Sequence, residues 1–382
     1  MRQLIKRGIA KCSLCLYKLP TIRKKKHLPE RESVIDYLNT VWQNHPIYSH
    51  DTFQNKPYDV RVDVCIIIPF YNAEKEYLEK CMDSLLNQKT QYLYKIICIN
   101  DGSKGDTLSN LEYYKKKNPD KVIVWHQNNQ GISCARNQGI KLANSDYIGF
   151  VDQDDWVSDQ YVEMLVKRAK DTNADVVKCS HAVVRNGKTC SEYLIPDISL
   201  EMGIGDAITE YSGMIWSGIY KRELFDLVRF PENYWYEDMI SRILLYRIGG
   251  RFESMHEILY YKRKHRNNAS TVLWNGRKKQ CIDHIYLLEH LMNESRRMKL
   301  SENNLKKTVL HELGQYLMWR TKEQDIKTKK MLFYYACYLF KELPSDNDDQ
   351  LSWIEQEYSK CFSYADYGKW LLLSWNDWAV TE

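Results

Sequence analysis

The sequence predicts an α/β protein built on a doubly wound, mostly parallel sheet with a helical C-terminal extension. Two observations carry that expectation. Between residues 62 and 151, short β-rich apolar runs alternate with amphipathic segments, a strand–helix–strand pattern whose right-handed crossovers produce a parallel sheet. Beyond about residue 275 the strand signal stops, and apolar residues such as Cys281, Ile285, Leu288 and Met292 recur at helical spacing.

Taken in order, residues 1–60 read as a basic arm with lead-in helices. Residues 1–26 hold Arg2, Lys6, Arg7, Lys11, Lys18, Arg23, Lys24, Lys25 and Lys26 and no acid. Leu4, Ile5, Ile9, Leu14, Leu16 and Leu19 lie among them, which suits a helix on anionic lipid as well as a solvated tail. Charges interrupt the segment before the apolar core of a signal peptide develops. The longest uncharged apolar run elsewhere, MLFYYACYLF at 331–340, is too short to span a bilayer. The expectation is a cytoplasmic chain, with the arm suited to a peripheral place at the inner face of the plasma membrane.

The strands expected next are VDVCIII from residue 62, KIICIN at 95–100, VIVWH at 122–126 and YIGFV at 147–151, each apolar enough to be buried on both faces. Between them KEYLEKCMDSLLNQ, DTLSNLEYYKKK and ISCARNQGIKLA read as helices. IWSGIY at 215–220, a helical YEDMISRILLYRIG at 236–249 and a strand-like FESMHEILYYKRK at 252–264 complete a domain over 61–275. Residues 276–382 form the helical region, suited to acceptor docking or self-association, with LPSDNDD at 343–349 as a loop and WLLLSWNDW as a short amphipathic or docking segment.

A 44% hydrophobic and 27% charged composition belongs to a folded globular chain with a sizeable core. The net charge of +5 is concentrated in the arm, and the remainder is slightly acidic. That argues against nucleic acid as a partner, because neutralising phosphates needs clustered bases on the folded face. Eleven scattered cysteines suit reduced thiols rather than a disulfide framework. Cys12 and Cys15 form a CxxC without the second pair that zinc needs.

In doubly wound sheets ligands bind beyond the carboxyl ends of strands. The turns PFYN (69–72), NDGSKGD (100–106), QNNQG (127–131) and DQDD (152–155) are therefore where functional side chains should gather. No GxGxxG follows the first strand and GSKGDT lacks the GK[ST] ending, which excludes dinucleotide and Walker-type phosphate loops. Asp152 and Asp154, one residue apart at a strand end, would point the same way if extended geometry persists. Two close acids need a cation or several donors to stay ionised, and Mg²⁺ or Mn²⁺ meets that need. The competing reading is that Asp154 or Asp155 caps a helix starting near Ser158.

CIIIPFYNAEKEYLEKCMDSLLNQ, IICINDGSKGDT and HQNNQGISCARNQGIKLANSDYIGFVDQDDW contain motifs in an order and at spacings that resemble the nucleotide-sugar domain of family 2 glycosyltransferases, over roughly residues 62–275. The resemblance implies a GT-A fold and an inverting transferase moving a hexosyl or N-acetylhexosaminyl group. The donor would be a nucleotide sugar, most simply a UDP-sugar. The acceptor would be a hydroxyl of a glycan or lipid-linked glycan in cell-surface polysaccharide synthesis.

The resemblance also assigns residues. Pro69, Phe70, Tyr71 and Asn72 would surround the nucleobase. Asp101 would accept from uracil, with Asn100 standing where relatives often have a first aspartate. Asn129 and Arg136 match residues that approach the nucleotide or its phosphates, and Gly131 at a helix start would add backbone donors. Asp152 would contact ribose or metal-bound water, Asp154 would bind Mn or Mg, and Asp155 would be a helix cap or support.

In NYWYEDMI, Asp238 would be the catalytic base with Glu237 beside it, since adjacent residues on a helix cannot both face the acceptor. Arg263, Arg266 and Ser270, with His265 as a further candidate, would lie on a loop closing over the diphosphate. Ser217-Gly218 replaces the Asn-Lys that relatives carry after the Trp. A sugar nucleotidyltransferase would need a Gly-rich phosphate loop, which PFYNAEKEY lacks. Asp101, Asp152, Asp154 and Asp238 speak against a non-catalytic sugar-binding scaffold.

Overall fold

The computed structural model describes residues 26–43, 61–201, 213–266, 268, 278–300, 305–344 and 351–381. The chain divides into two compact units, residues 46–265 and residues 1–45 with 266–382. The segment anticipated as a lead-in is thus shared between them, and the sheet-bearing unit ends at His265.

The described part of the first unit is a ten-stranded sheet: β1 (Val62–Phe70), β2 (Tyr94–Asp101), β3 (Val122–Gln127), β4 (Ser145–Phe150), β5 (Trp156–Val157), β6 (Val176–Arg185), β7 (Lys188–Tyr193), β8 (Ile198–Glu201), β9 (Gly218–Lys221) and β10 (Arg251–Arg263). The order is β3-β2-β1-β4-β9-β6-β10-β5, with β7 beside β6 and β8 beside β10. β3, β2, β1 and β4 run parallel. β9 joins antiparallel to both β4 and β6, and β6 and β10 are parallel again.

The helices α1 (Lys75–Leu86), α2 (Asp106–Lys117), α3 (Ile132–Leu142) and α4 (Tyr161–Thr172) fall close to the positions read from periodicity. Alternation along β1 explains why helices lie on both faces. Val64, Ile66 and Ile68 pack with Leu78, Met82 and Leu85 of α1 and Leu165 and Ala169 of α4. Ile67 points the other way, against Gly139 of α3. Burial on both faces is why the strand reads as a continuous apolar run.

β10 places the site. Its register slips between Met255 and Ile258 and again before Tyr260, and its far end pairs antiparallel with β5. A residue bulged out of a ladder bends the strand, and here the bent end of β10 returns beside the turn after β4.

The expected helix over 236–249 starts later, at Met239, and contains a π-helical turn over Ser241–Leu245. Glu237 and Asp238 therefore lie in the turn ahead of it.

In the second unit, Val34 and Leu38 of the helix Arg31–Val41 are buried as it packs on the helix Ile326–Lys341. Arg31 bonds Glu342 at 2.8 Å and also Glu289, and Trp42 Nε1 donates to Asp283 Oδ1 at 2.6 Å. Cys281, Ile285, Leu288 and Met292 are all buried, as their spacing predicts. WLLLSWNDW lies within the helix Tyr367–Thr381, where Trp370 Nε1 donates to Leu313 O at 2.9 Å.

Residues 1–25, with Cys12, Cys15 and nearly all of the basic arm, lie outside the described residues. Among the described residues no helix is long and apolar enough to cross a membrane, and the nine cysteines are free thiols.

A Cβ at Gly139 would run into Ile67 Cγ2. Gly139→Ala should destabilise the first unit by about 1–3 kcal/mol through overpacking, read as a lowered urea midpoint at an unchanged slope.

Candidate active site

The four polar turns come together at one end of the sheet. Asn100 closes its own turn, Oδ1 accepting from Ser103 N at 2.9 Å. Ser103 Oγ then receives Asn72 N at 2.9 Å. Gly102 sits at φ +83°, where a Cβ would also lie 2.7 Å from Asn129 N, so conformation and space both demand glycine. Asn129 Nδ2 donates to Asp101 O at 3.1 Å.

Tyr71 N donates to Gln153 Oε1 at 2.8 Å and Gln153 Nε2 donates back to Tyr71 O at 3.2 Å. This reciprocal amide clasp joins the turn after β1 to the turn after β4. Tyr71 is half exposed, whereas Phe70 packs fully buried in the core. Tyr71 is therefore the aromatic ring of this turn that is open to solvent, and Pro69 is part-buried at the end of β1.

Asp101 is buried and meets three donors: Gln127 Nε2 at 2.8 Å, Gln130 N at 2.9 Å and Gly131 N at 2.8 Å. It holds the entry of α3, a favourable place for an anion because helix N-termini present unpaired N–H groups. The Gly131 donor expected to be open to phosphate is taken by this carboxylate.

At DQDD the chain turns, with Asp155 N donating to Asp152 O at 3.1 Å. Extended geometry does not persist, and the two acids expected to share a direction take different partners. Asp152 Oδ1 accepts from Arg136 Nη2 at 3.0 Å, while Asp154 Oδ2 lies 2.8 Å from His265 Nε2.

Asp155 is not a helix cap, since α4 begins at Tyr161 with no side-chain cap bond. It is buried, accepting from Tyr260 OH at 2.7 Å and Arg263 N at 2.7 Å. Burial, then the charges of Asp154 and Asp152, push its carboxyl well above the usual range. Tyr260 OH also accepts from Asp152 N at 3.2 Å, so one hydroxyl links both acids.

Arg136, on α3, is 1% exposed and serves three carboxylates. Besides Asp152, its Nη1 reaches Glu237 Oε1 at 2.6 Å and Asp238 Oδ1 at 3.3 Å. Because Glu237 and Asp238 stand in a turn rather than on a helix, both can face one guanidinium. Burial first, then Glu237, pushes Asp238 up to about 7 against the pull of Arg136. Asp152 is raised as well, by burial opposed by Arg136.

Asn137, the next residue, receives Phe230 N at 3.0 Å and donates to Phe230 O at 2.9 Å and Glu232 Oε1 at 3.1 Å. Consecutive residues of α3 thus pin the 230–238 segment.

On the other flank, the Arg263 guanidinium lies 4.2 Å from the Tyr77 ring centre and 5.0 Å from that of Trp156, and its Nε donates to Asp154 O at 2.9 Å. Arg266 is exposed and belongs to the second unit, and Ser270 lies outside the described residues.

Residues 65–197 match the family described as Glycosyl transferase family 2. The match takes in the strands from β1 to β7 and, with them, Asp101, Arg136 and the DQDD turn. It is 32% identical over 222 residues to the uncharacterized glycosyltransferase EpsJ of Bacillus subtilis, a match covering 55% of this chain and 63% of the relative, less than two thirds of its length. It is 26% identical to the uncharacterized glycosyltransferase YibD of Escherichia coli K12, over 73% of this chain and 86% of that one. In fold it resembles S. aureus TarS 1–349, solved in complex with UDP-GlcNAc, with a TM-score of 0.68, 18% identity, and coverage of 82% of this chain and 90% of that chain.

The roles of Tyr260, Gln153 and Asn137 had no local signal in the sequence. Each depends on a partner that the fold brings from far along the chain.

Among the described residues no three His, Cys, Asp or Glu side chains converge on one point as a ready metal site. Asp154 and His265 offer an oxygen and a nitrogen donor side by side. That pair of donors suits a hard or borderline divalent ion such as Mg²⁺ or Mn²⁺.

Tyr260→Phe removes the hydroxyl shared by Asp155 and Asp152 N while keeping the ring. It should cost about 1–3 kcal/mol, the penalty for leaving buried polar partners unmet, seen as a lower Tm.

Proposed function

We propose that this chain is an inverting, metal-dependent glycosyltransferase that moves a sugar from a nucleotide sugar, most simply a UDP-sugar, to a hydroxyl of a glycan or lipid-linked glycan. The observation that carries the reading is Arg136 joining Asp152, at the turn expected to hold the donor, to Asp238, the expected base. The family match supports the reaction class, and the presence of UDP-GlcNAc in the TarS complex supports the donor class.

In this reading Asp238 accepts the proton of the acceptor hydroxyl as that oxygen bonds the anomeric carbon. The bond from that carbon to the diphosphate oxygen breaks with its electron pair leaving on the diphosphate. A single displacement from the opposite face inverts the centre. Glu237 keeps Asp238 oriented through their common guanidinium.

Asp154, with His265 beside it, would hold the divalent ion, which as a Lewis acid offsets the charge developing on the leaving group. Tyr71 offers a ring to the nucleobase, while Asp101 and Asn129 keep the turns that frame it in place. Arg263 provides a cation for the diphosphate from the end of β10. The basic residues at 1–26 support a peripheral place on an anionic membrane, where a lipid-linked acceptor resides.

Asp238→Asn should lower transfer by about 10²–10⁴-fold, the usual worth of a general base, while leaving UDP-sugar affinity in calorimetry near wild type. Substantial residual transfer would remove Asp238 from that role. Because Asp238 is pushed up to about 7 and must be unprotonated to act, kcat/KM should rise with pH and reach half its plateau near neutrality. A half-point near the ordinary aspartate value of about 4 would contradict this. Screening nucleotide sugars for Mn²⁺-dependent UDP release, with Asp154→Ala as the inactive control, tests the reaction class itself.

A further inference from the structure

Both terminal nitrogens of Arg136 are engaged by carboxylates, and its Nε is enclosed without a partner among the described residues. Its Nη2 is held by Asp152 at 3.0 Å, its Nη1 is divided between Glu237 at 2.6 Å and Asp238 at 3.3 Å, and the Phe230 ring centre lies 5.3 Å from Cζ. A guanidinium meant for a ligand gains by presenting its planar fork, whereas this one is 1% exposed and spent on the protein's own acids. Asn137 fastens the backbone of the same segment at Phe230. Arg136 can therefore act on a segment whose position is already fixed.

We propose that Arg136 is a positioning residue for the general base, holding Asp238 in place and ionised and tying it to Asp152, and that it does not bind the diphosphate. The inference rests on the reading of Asp238 as base.

The groups facing Asp238 come from every element around it. They are Arg136 on α3, Asp152 after β4, Lys262 on β10, Lys178 on β6, Tyr220 on β9, Tyr246 beyond the π turn and Glu237 in its own turn. Burial and the negative charges of Glu237 and Asp152 favour the protonated form. Arg136, then Lys262, favour the carboxylate. Arg136 is the cation in direct contact. Glu237 takes the closer share of Nη1, which leaves Asp238 the more weakly held of the two and so the better proton acceptor.

Opposite consequences follow from the two partners, and they can be read in one experiment. The pH dependence of kcat/KM is measured for wild type, Arg136→Gln, Arg136→Lys and Glu237→Gln with whichever UDP-sugar the wild type turns over, alongside UDP affinity by calorimetry. Removing the guanidinium charge in Arg136→Gln should move the acid limb up by about one pH unit or more, the scale of a neighbouring opposite charge. Arg136→Lys, which keeps a charge but loses the fork, should leave the limb close to wild type and lower kcat. Glu237→Gln removes a like charge and should move the limb down. UDP affinity should change less than about threefold throughout.

If Arg136→Gln does not fold, the downward shift in Glu237→Gln and the retained limb in Arg136→Lys carry the decision. An unmoved limb in an active Glu237→Gln, or a tenfold loss of UDP affinity in Arg136→Lys, overturns the inference while the transferase reading stands. A wild type that transfers from no donor overturns the parent reading and this one with it.

Discussion

One buried guanidinium connects acids that the chain supplies from places far apart. Arg136 is on α3, Asp152 ends the first half of the sheet, and Glu237 and Asp238 follow the second half. A charge so enclosed is tolerated only with partners, and the acids crowded around it would repel one another without it. The demand is mutual, which is why the turn after β4 and the 230–238 segment have to meet at this helix. Asn137 meets the same requirement for the backbone with its reciprocal bonds to Phe230.

The remaining turns are held by small polar groups. Asn100, Ser103 and Gly102 fold the turn after β2, Asp101 fastens the start of α3, and Gln153 clasps Tyr71. Asp155 and Tyr260 bind the returning end of β10 to the turn after β4, which brings Arg263 and His265 beside Asp154. Most of the acidic residues noticed in the sequence therefore do two jobs, since residues framing the site are also the bonds that keep its loops in register.

Some of this could be read before any coordinates. The parallel strands and the helices 75–86, 106–117 and 132–142 follow from runs of β-branched residues and from helical spacing, because both reflect local burial. The C-terminal stripe from Cys281 to Met292 is buried for the same reason. Other inferences failed where they assumed a regular backbone. Asp152 and Asp154 were expected to share a direction, but the chain turns between them. Glu237 and Asp238 were assigned to a helix that begins only at Met239. Asp155 looked like a cap because acids often are, while its partners, Tyr260 and Arg263, lie more than a hundred residues away.

The sequence by itself determined the fold class, the polar turns at the strand ends and the resemblance to family 2 glycosyltransferases, since these depend on periodicity and on motif order along the chain. Only the tertiary structure decided how the charges are distributed. Asp101 is committed to the entry of α3, Asp155 to β10, and Arg136 to three acids. The physical reason is that a buried charge is defined by its partners, and each of these partners is brought close by strand order and helix packing rather than by spacing in the chain.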